Sequence, residues 1–220
     1  MKRLAIFGIG EIAEVAHYLF CEDSDYDVSA FTVDDEHRDR ETHLGLPVVP
    51  FEELEESYSP DDFSLFVAIG YTKVNKLRTN KVAQARAKGF DLASYTSSRA
   101  WVWRGYEARA NTMVMEQNTI QPYVTIGENC TLWSGNHVGH HTQIGNNVFI
   151  ASHAVISGSV NIGDNCFIGV NATLRDNITL GAGCVVGAGA LLVRDAADKS
   201  VFPGAATKPS KISSDRLRNI

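Results

Sequence analysis

The chain lacks an excess of basic residues, a long apolar run and a signal sequence. Its formal net charge is −6 over 220 residues, whereas a nucleic-acid-binding surface needs a basic patch, so nucleic acid is not an expected partner. No apolar run approaches the length of a membrane span. The start, Met1-Lys-Arg followed by LAIFGIG, is too short and too glycine-rich for a signal peptide. These absences predict a cytoplasmic protein without membrane insertion.

Cysteine is also scarce, and its spacing lacks the close pairs that metal sites usually show. Three of the four cysteines, Cys130, Cys166 and Cys184, are separated by multiples of eighteen residues. A free cysteine behaves as a small apolar side chain. The spacing therefore predicts one buried column of small residues, and no metal site is expected.

What the chain has instead is a six-residue repeat that runs without a slip between Val102 and Ala197. An aliphatic residue opens almost every hexad, a small residue often follows it, and Asn or Gly is frequent at the fourth position. Such repeats are typical of a parallel β-helix, in which each short unit buries its apolar face by stacking on its neighbours. Gly at the second position and Asn or Gly at the fourth suit tight corners that need positive φ.

Three hexads form one triangular coil, so residues eighteen apart are expected to stack. This rule predicts three inward-facing aliphatic columns. They are Ile126, Ile144, Ile162 and Leu180; Leu132, Ile150, Ile168 and Val186; and Ile120, Val138, Ile156, Leu174 and Leu192.

The first hundred residues follow a different pattern, in which strands alternate with helices. The expected strands are Arg3 to Phe7, Val28 to Val33, Phe63 to Ile69 and Leu92 to Tyr95. The expected helices are one that carries Ile12, Val15, Ala16 and Leu19, a short acidic one from Phe51 to Ser57, and one from Asn75 to Lys88 that Gly89 stops. This alternation predicts a small parallel α/β sheet.

A glycine-rich turn follows the first strand. Gly8-Ile-Gly10-Glu-Ile-Ala13 fits the G-x-G-x-x-G/A fingerprint of nucleotide-binding sheets, and the acidic pair Asp34-Asp35 ends the second strand. Because a helix N-terminus favours a phosphate, the motif predicts a nucleotide held by Gly8, Gly10, Asp34 and Asp35. Glu11 places a like charge beside that phosphate, and the region is short, which favours a half-sized unit for one nucleotide. The alternative is a purely structural turn.

Together these signals predict an α/β domain followed by an all-β domain. We expect a small Rossmann-like nucleotide-binding domain at residues 1–97, a β-helix domain at 98–200 and a C-terminal tail at 201–220. This arrangement resembles the PglD/NeuD-type sugar acetyltransferases, and the resemblance identifies the β-helix domain at 98–200 as the acyltransferase domain. The resemblance covers nearly the whole chain, through the GIG turn, Phe31-Thr-Val-Asp-Asp35, Gly45-Leu-Pro-Val48, Phe66-Val-Ala-Ile-Gly70 and the repeats.

The resemblance implies properties that the periodicity cannot show. It implies a left-handed β-helix, acetyl-CoA as cosubstrate without a metal, and a homotrimer with active sites between neighbouring helices. The implied reaction is acetylation of a nucleotide-linked amino sugar, for surface polysaccharide or glycan synthesis. Gly139-His140-His141 matches the family's N-H-[DE] segment, which places His140 as the general base. His141 stands where the family has an acidic residue, so the group that orients the base is an imidazole or comes from elsewhere.

The resemblance also implies where acetyl-CoA binds. The family's second histidine, which contacts acetyl-CoA, falls here on Phe149, and Ser152 or His153 is expected to take over that contact. The other expected contacts are small residues at the corners of later coils and a lysine in the tail: Gly158, Gly169, Gly187, Ala188 and Lys208.

Two alternatives stay open at this point. The same scaffold acylates a hydroxyl in O-acetyltransferases of the sialic-acid type. A zinc-binding hexapeptide protein or a hexapeptide carbonic anhydrase would instead use the histidines as metal ligands between subunits. Zinc binding would leave the N-terminal nucleotide domain without a purpose. The sequence does not identify the sugar, the nucleotide or the acyl group.

Overall fold

The computed structural model describes residues 2–216 and begins with an α/β sheet. Its elements are β1 (Lys2–Phe7), α1 (Glu11–Glu22), β2 (Tyr26–Val33), β3 (Thr42–His43), β4 (Leu46–Pro50), α2 (Leu54–Ser57), β5 (Phe63–Val67), α3 (Lys76–Ala87) and β6 (Asp91–Leu92). Short 3₁₀ helices cover Asp35–His37, Phe51–Glu53 and Ser214–Arg216. No helix in the described part of the chain has the length and apolar character that a bilayer crossing requires.

The strand order of this sheet is β3-β4-β2-β1-β5-β6. All neighbours are parallel except β3 and β4, which form an antiparallel hairpin. The five parallel strands thus follow the Rossmann order without its sixth strand. The domain is therefore larger than the expected half-sized unit, because the sequence did not predict strand β4. Two of the five residues of β4 are prolines, Pro47 and Pro50, which are uncommon within strands.

The helices follow the apolar spacing that predicted them. Helix α1 buries Ala13, Ala16 and Leu19 on one face. Helix α3 ends before Gly89, whose φ of +89° suits glycine at this position. These elements confirm the alternation, with ends shifted by one or two residues.

The expected strand Leu92 to Tyr95 is wrong as a single element. It divides into β6, which pairs with β5 in the α/β sheet, and β7 (Tyr95–Thr96), which pairs with a strand of the β-helix. An apolar segment of this length carries no signal that tells one sheet from the next. The chain therefore passes from the first domain to the second within the stretch that looked like one strand.

The β-helix consists of two-residue strands. After β7 they are β8 to β23 in chain order: Trp101–Val102, Met113–Val114, Thr119–Ile120, Thr125–Ile126, Thr131–Leu132, His137–Val138, Gln143–Ile144, Phe149–Ile150, Val155–Ile156, Asn161–Ile162, Phe167–Ile168, Thr173–Leu174, Thr179–Leu180, Val185–Val186, Leu191–Leu192 and Val201–Phe202. All pair in parallel, mostly with the strand eighteen residues away. The fold is a left-handed parallel β-helix with hexapeptide repeats.

The strands form three sheets, which we call faces I, II and III. Face I contains β7, β9, β12, β15, β18, β21 and β23; face II contains β8, β10, β13, β16, β19 and β22; face III contains β11, β14, β17 and β20. Along each coil the chain visits face I, then II, then III. We name the corners by the faces they join, for example corner II–III. The three predicted columns lie inside the prism, and all their members are buried, which confirms them. Cys130, Cys166 and Cys184 are buried in the same interior.

The corners explain the repeat, although one expectation needs correction. The fourth position of every hexad from Asn111 to Gly189 has a positive φ, as expected. The glycines at the second position do not. Those glycines are required because consecutive coils touch there: a Cβ on Gly139 would lie 2.5 Å from the nitrogen of Gly158, and one on Gly163 would lie 2.6 Å from the nitrogen of Ala182.

The α/β domain packs on the outer surface of face I. Tyr95 and Met113, which point outward from that face, belong to the same apolar cluster as Leu4 and Phe20 of the α/β domain. The outward side of face II carries the exposed apolar side chains Trp101, Val155 and Leu191. The outward side of face III is polar and exposed, with Thr125, Gln143, Asn161 and Thr179. The two uncovered faces are thus chemically different.

Arg78 of α3 fixes this packing from within. Its side chain is 1% exposed, and its Nε and Nη2 donate to the side-chain and backbone oxygens of Asn129 on the β-helix, at 3.0 and 3.1 Å. Its Nη1 donates to the carbonyls of Ile69 and Gly70. Burial lowers the pKa of Arg78 to about 10. The guanidinium therefore stays charged at neutral pH and joins the two domains through fixed hydrogen bonds.

Asp23, at the end of α1, makes a second joint. Its Oδ2 accepts hydrogen bonds from the backbone nitrogen of Ser98 at 2.9 Å, from the hydroxyl of Tyr95 at 2.8 Å and from the hydroxyl of Ser97 at 3.1 Å. Hydrogen bonds from Ser98, Tyr95 and Ser97 lower the pKa of Asp23 to about 2. These hydrogen bonds therefore stabilise the ionised form of Asp23 in the folded chain more than its protonated form.

We expect Asp23→Asn to lower the free energy of unfolding by about 1–2 kcal/mol at neutral pH. Because folding lowers the pKa of Asp23 from its usual 3.8 to about 2, its contribution is present above pH 4 or so and is lost as the pH falls through about 2. Denaturant titrations should show a smaller difference in the free energy of unfolding between Asp23→Asn and wild type near pH 2.5 than at pH 7. Asp25→Asn, on the exposed neighbour, is the control. A difference that stays constant with pH would contradict this account.

Candidate active site

The glycine turn lies where the order of the sheet reverses. Gly8 and Gly10 follow the carboxyl end of β1, between β2 and β5, which is the crevice where open α/β sheets bind ligands. Gly8 has a φ of +121°, and a Cβ there would lie 3.0 Å from the carbonyl oxygen of Ala68. Gly10 is the N-cap of α1, makes no side-chain cap and has open space around it. The first amide groups of α1 therefore face the crevice without a protein acceptor.

The acidic pair lies at the same edge, but its two members differ. Asp34 Oδ1 is 2.6 Å from the Nζ of Lys81, a largely buried lysine. The exposed Asp35 pairs with Arg38 at 3.3 Å, and its backbone nitrogen donates to Glu52. The negative charge of Asp34 is therefore balanced by Lys81 within the domain, whereas the carboxylate of Asp35 stays accessible to solvent. Sequence reasoning missed Lys81, because its partner is 47 positions away in the chain.

A cleft of about 440 Å³ lies between the start of α1 and corner I–II of the β-helix. Glu11 and Ile12 line one side, and Ser152 lies on the corner opposite. Three aromatic rings, those of Tyr71, Trp133 and Phe149, also line the cleft. Of these residues the sequence indicates Ser152 but not Tyr71 or Trp133, because the two rings meet in the cleft only through the packing of the two domains.

Tyr71 belongs to a constrained loop after β5. Its ring centroid lies 4.9 Å from that of Phe149 and 4.6 Å from that of Phe167. Lys73, Val74 and Asn75 all have positive φ, which is unusual for a β-branched residue such as Val74. The buried side chain of Asn75 donates to the carbonyl of Cys166 at 3.1 Å. The loop is thus anchored to face I, with Tyr71 on the aromatic wall of the cleft.

His140 lies on corner II–III, on the side of the prism away from face I. Its ring packs over Gly158, where a Cβ would lie 2.7 Å from the imidazole Cε1. Its backbone nitrogen donates to Oε1 of Gln121 at 2.9 Å. Its Nδ1 lies 3.1 Å from Nδ1 of His141. The side chain is exposed, so its Nε2 is accessible to a reactant.

The expected CoA-binding residues do not lie together within one chain. Ser152, His153, Gly169, Gly187 and Ala188 lie on corner I–II, beside the aromatic cleft, whereas Gly158 lies on corner II–III under His140. The exposed Lys208 lies in the tail beyond the last coil. Two groups of site residues therefore lie at opposite edges of face II.

His43 and the buried cysteines fill structural roles. His43 is buried, with its ring 4.9 Å from that of Phe31 and its Nε2 3.4 Å from a carboxylate oxygen of Glu14. Burial raises the pKa of the Cys130 and Cys166 thiols to about 12, so they are not reactive thiolates. Among residues 2–216, no three His, Cys, Asp or Glu side chains of one chain converge as metal ligands do.

Comparisons with known proteins agree with this architecture. The model of the PglD N-terminal domain matches residues 3–84, and the model of the bacterial transferase hexapeptide (six repeats) matches residues 123–158 and 159–194. A search of curated proteins found no match. Among solved structures, the acetyltransferase domain of PglB from Neisseria gonorrhoeae FA1090 is 28% identical, with a TM-score of 0.81 over 91% of this chain and 96% of that one. The chain belongs to the PglD/NeuD-type sugar acetyltransferases.

Two further solved structures contain ligands. A histidine-to-asparagine variant of perosamine N-acetyltransferase from Caulobacter crescentus, in complex with CoA and GDP-perosamine, is 28% identical, with a TM-score of 0.80 over 90% of this chain and 91% of that one. The gonococcal PglB domain in complex with acetyl coenzyme A matches at 25% identity, with a TM-score of 0.63 over 91% and 95%. As a PglD/NeuD-type protein, the chain is an acyltransferase enzyme.

Proposed function

We propose that this enzyme transfers the acetyl group of acetyl-CoA to the amino group of a nucleotide-linked sugar. The observation that carries the proposal is the open glycine turn at the switch point of a five-stranded parallel sheet, joined to an acyltransferase β-helix. Relatives solved with CoA, acetyl-CoA and GDP-perosamine support both substrate classes.

The nucleotide sugar binds across the crevice at the glycine turn. The free amide groups at the start of α1 and the helix dipole attract the diphosphate. The accessible Asp35 accepts hydrogen bonds from the ribose or the base. Asp34 forms the ion pair with Lys81 at the edge of the same crevice. Glu11 lines the adjacent cleft, and its charge keeps the phosphates at the backbone amides and leaves the cleft to the amino sugar.

One chain does not bring this sugar to His140. Corner II–III lies on the side of the prism opposite face I, on which the α/β domain packs. His140 is therefore separated from the α/β domain of its own chain by the width of the prism, whose sides of six extended residues are at most about 20 Å long. The exposed apolar side chains of face II, Trp101, Val155 and Leu191, are not covered by any other part of residues 2–216. A homotrimer with three parallel chains and face II turned towards the threefold axis covers them.

This trimer also completes the active site. With face II inward, corner II–III of one chain meets corner I–II of the next. His140, His141 and Gly158 of one chain then face Ser152, His153, Gly169, Gly187, Ala188 and the aromatic cleft of its neighbour. Acetyl-CoA lies along this seam, with Lys208 near its phosphates, and the sugar enters from the neighbour's glycine turn.

The reaction needs a base and a bound thioester. His140 Nε2 removes a proton as the acceptor nitrogen attacks the acetyl carbonyl carbon. The new C–N bond forms, the C–S bond breaks, and the thiolate of CoA leaves. The imidazolium of His140 then returns the proton to that sulfur. No covalent acyl-enzyme is needed, because both substrates meet in the same seam.

Gly10→Val tests the nucleotide site. A Cβ added at Gly10 would meet no protein atom within 4 Å, and the φ of −97° at this residue is ordinary, so the variant should fold normally. The valine side chain occupies the space of the phosphate, and we expect affinity for GDP- and UDP-linked amino sugars to fall at least about 100-fold. Affinity for CoA should be unchanged, and Gly10→Ala should show a smaller loss. Calorimetry with each ligand measures this.

Either of two results would contradict the assignment. Unchanged affinity for every nucleotide sugar that the wild-type enzyme binds would place the site elsewhere. Equal losses for nucleotide sugar and CoA would indicate a general structural defect. Parallel assays with amino sugars and their hydroxyl counterparts distinguish N-acetylation from O-acetylation, because only the correct acceptor consumes acetyl-CoA.

A further inference from the structure

The corner that holds His140 provides no carboxylate to orient its ring. Among the described residues, neither His140 nor His141 forms an ion pair with an acidic side chain. Asp176 lies two coils above His140 in the same column, and its carboxylate bonds instead to the side chain of Asn177. The side-chain oxygen of Gln121 accepts from the backbone of His140. Within residues 2–216, the hydrogen-bond partner of the His140 ring is the second imidazole, at 3.1 Å between the Nδ1 atoms.

His141 is held in turn by a column of aromatic rings. The ring centroid of Tyr123 lies 4.7 Å from that of His141, at an interplanar angle of 38°. The ring of Trp103 lies 5.6 Å from that of Tyr123. The three rings therefore form a continuous row of tilted contacts that ends beside His140.

The fold itself does not favour these residues. Tyr123 and His141 have φ of +67° and +59°, at the corner position that Asn or Gly occupies in most other hexads. A tyrosine in this conformation carries a backbone cost that asparagine largely avoids. Tyr123 is also 61% exposed, so it contributes little to the core. A residue that costs stability at an exposed corner beside a catalytic histidine indicates a role in the reaction.

Resting on the proposed function, we propose that His140 and His141 act as an imidazole pair, with Tyr123 and Trp103 as positioning residues. His140 keeps its proton on Nδ1 and donates it to the lone pair of Nδ1 of His141, whose own proton is on Nε2. This arrangement fixes the Nε2 of His140 as the free base.

The pair also spreads the positive charge that a neighbouring carboxylate would otherwise balance. When Nε2 of His140 takes the acceptor's proton, the two rings together carry one positive charge, shared through the Nδ1–H···Nδ1 hydrogen bond. The face of Tyr123 stabilises the share on His141 by a cation–π interaction. The proton then passes from Nε2 to the leaving thiolate, and the pair returns to its neutral state. No proton leaves the pair by any other route.

Tyr123→Asn separates the role in catalysis from the role in folding. Asparagine relieves the backbone cost, so the thermal midpoint should rise by about 2 °C. The loss of the ring should lower kcat about tenfold with the KM for both substrates unchanged, because His141 is no longer held. Tyr123→Phe keeps the ring and is the matched control, with kcat near wild type. A Tyr123→Asn enzyme with wild-type kcat would overturn the positioning role.

Two variants of His141 test the hydrogen bond directly. Asparagine accepts a hydrogen bond and suits positive φ, whereas phenylalanine keeps a ring against Tyr123 but cannot accept. We expect kcat of His141→Phe to be at least about tenfold below that of His141→Asn. In ¹⁵N spectra of histidine-labelled wild-type enzyme, His140 should show a protonated Nδ1 and His141 a protonated Nε2. Equal kcat values, or the opposite tautomer of His140, would overturn the pair.

The same series separates this inference from the proposed function. Full activity of His140→Ala would reject His140 as the base and with it the assigned mechanism. An inactive His140→Ala together with fully active His141→Phe and Tyr123→Asn would leave the mechanism intact and reject only the imidazole pair.

Discussion

Replacing Val155 with Asp is expected to convert the trimer into folded monomers and to abolish activity. Val155 is 41% exposed at the middle of face II, and the proposed trimer buries it near the threefold axis. Three carboxylates in that apolar interface would lose their hydration without a cation to pair with, a cost of several kcal/mol for each. Because the proposed site is divided between chains, monomers should lose activity by at least about 100-fold.

Light scattering after size exclusion measures the oligomeric state, and circular dichroism shows whether each chain stays folded. Gln143→Asp is the matched control, since it puts the same charge at the outward position of a strand on polar face III. That variant should stay trimeric and active. A monomeric wild-type enzyme that is fully active would contradict the divided site, as would a trimeric and active Val155→Asp enzyme.

His140→Ala should give the largest loss in kcat of any single side-chain truncation in the site. A general base contributes about 10² to 10⁴ in rate, and its removal leaves substrate binding almost unchanged, so the KM for acetyl-CoA should change little. His153→Ala is the matched comparison on corner I–II. It should raise the KM for acetyl-CoA with a smaller effect on kcat, because in the proposed site His153 contacts the cosubstrate and does not take the proton. His141→Ala should cost less than His140→Ala.

Steady-state kinetics at neutral pH with saturating nucleotide sugar measures both parameters. Full activity of His140→Ala would contradict the assignment of the base. A His153→Ala enzyme that loses kcat as His140→Ala does, with its KM for acetyl-CoA unchanged, would move the base from corner II–III to corner I–II.

The β-helix follows closely from the sequence because its geometry is local and periodic. The offset of eighteen residues decides which residues stack, so Ile126 over Ile144 and Leu132 over Ile150 are direct consequences of the period. The same period predicted the positive φ at the fourth position. It did not reveal why Gly139 must be glycine, because that requirement comes from contact between coils, which only the coordinates measure.

The candidate site was predictable only in part. The sequence named the glycine turn and His140, since both belong to local motifs. It did not reveal which face of the prism the α/β domain covers, because the repeat makes the three faces similar in pattern. Tyr71 and Trp133 in the cleft depend on that lateral packing. Tyr123 lies beside His141 because the two residues are eighteen positions apart, so the period of the repeat already implies this contact. The pair of Asp34 and Lys81 depends on α3 crossing back over the sheet.

The central claim, that each active site joins His140 of one chain to the glycine turn of the next, is tested most directly by mixing two inactive variants. Coexpression of His140→Ala with Gly10→Val chains should form mixed trimers in which some seams contain an intact His140 and an intact Gly10. With equal, random assembly about a quarter of the seams are intact, so we expect about a quarter of wild-type activity. Mixed trimers, verified by two affinity tags, that stay as inactive as either parent would place the whole site within one chain and contradict the account.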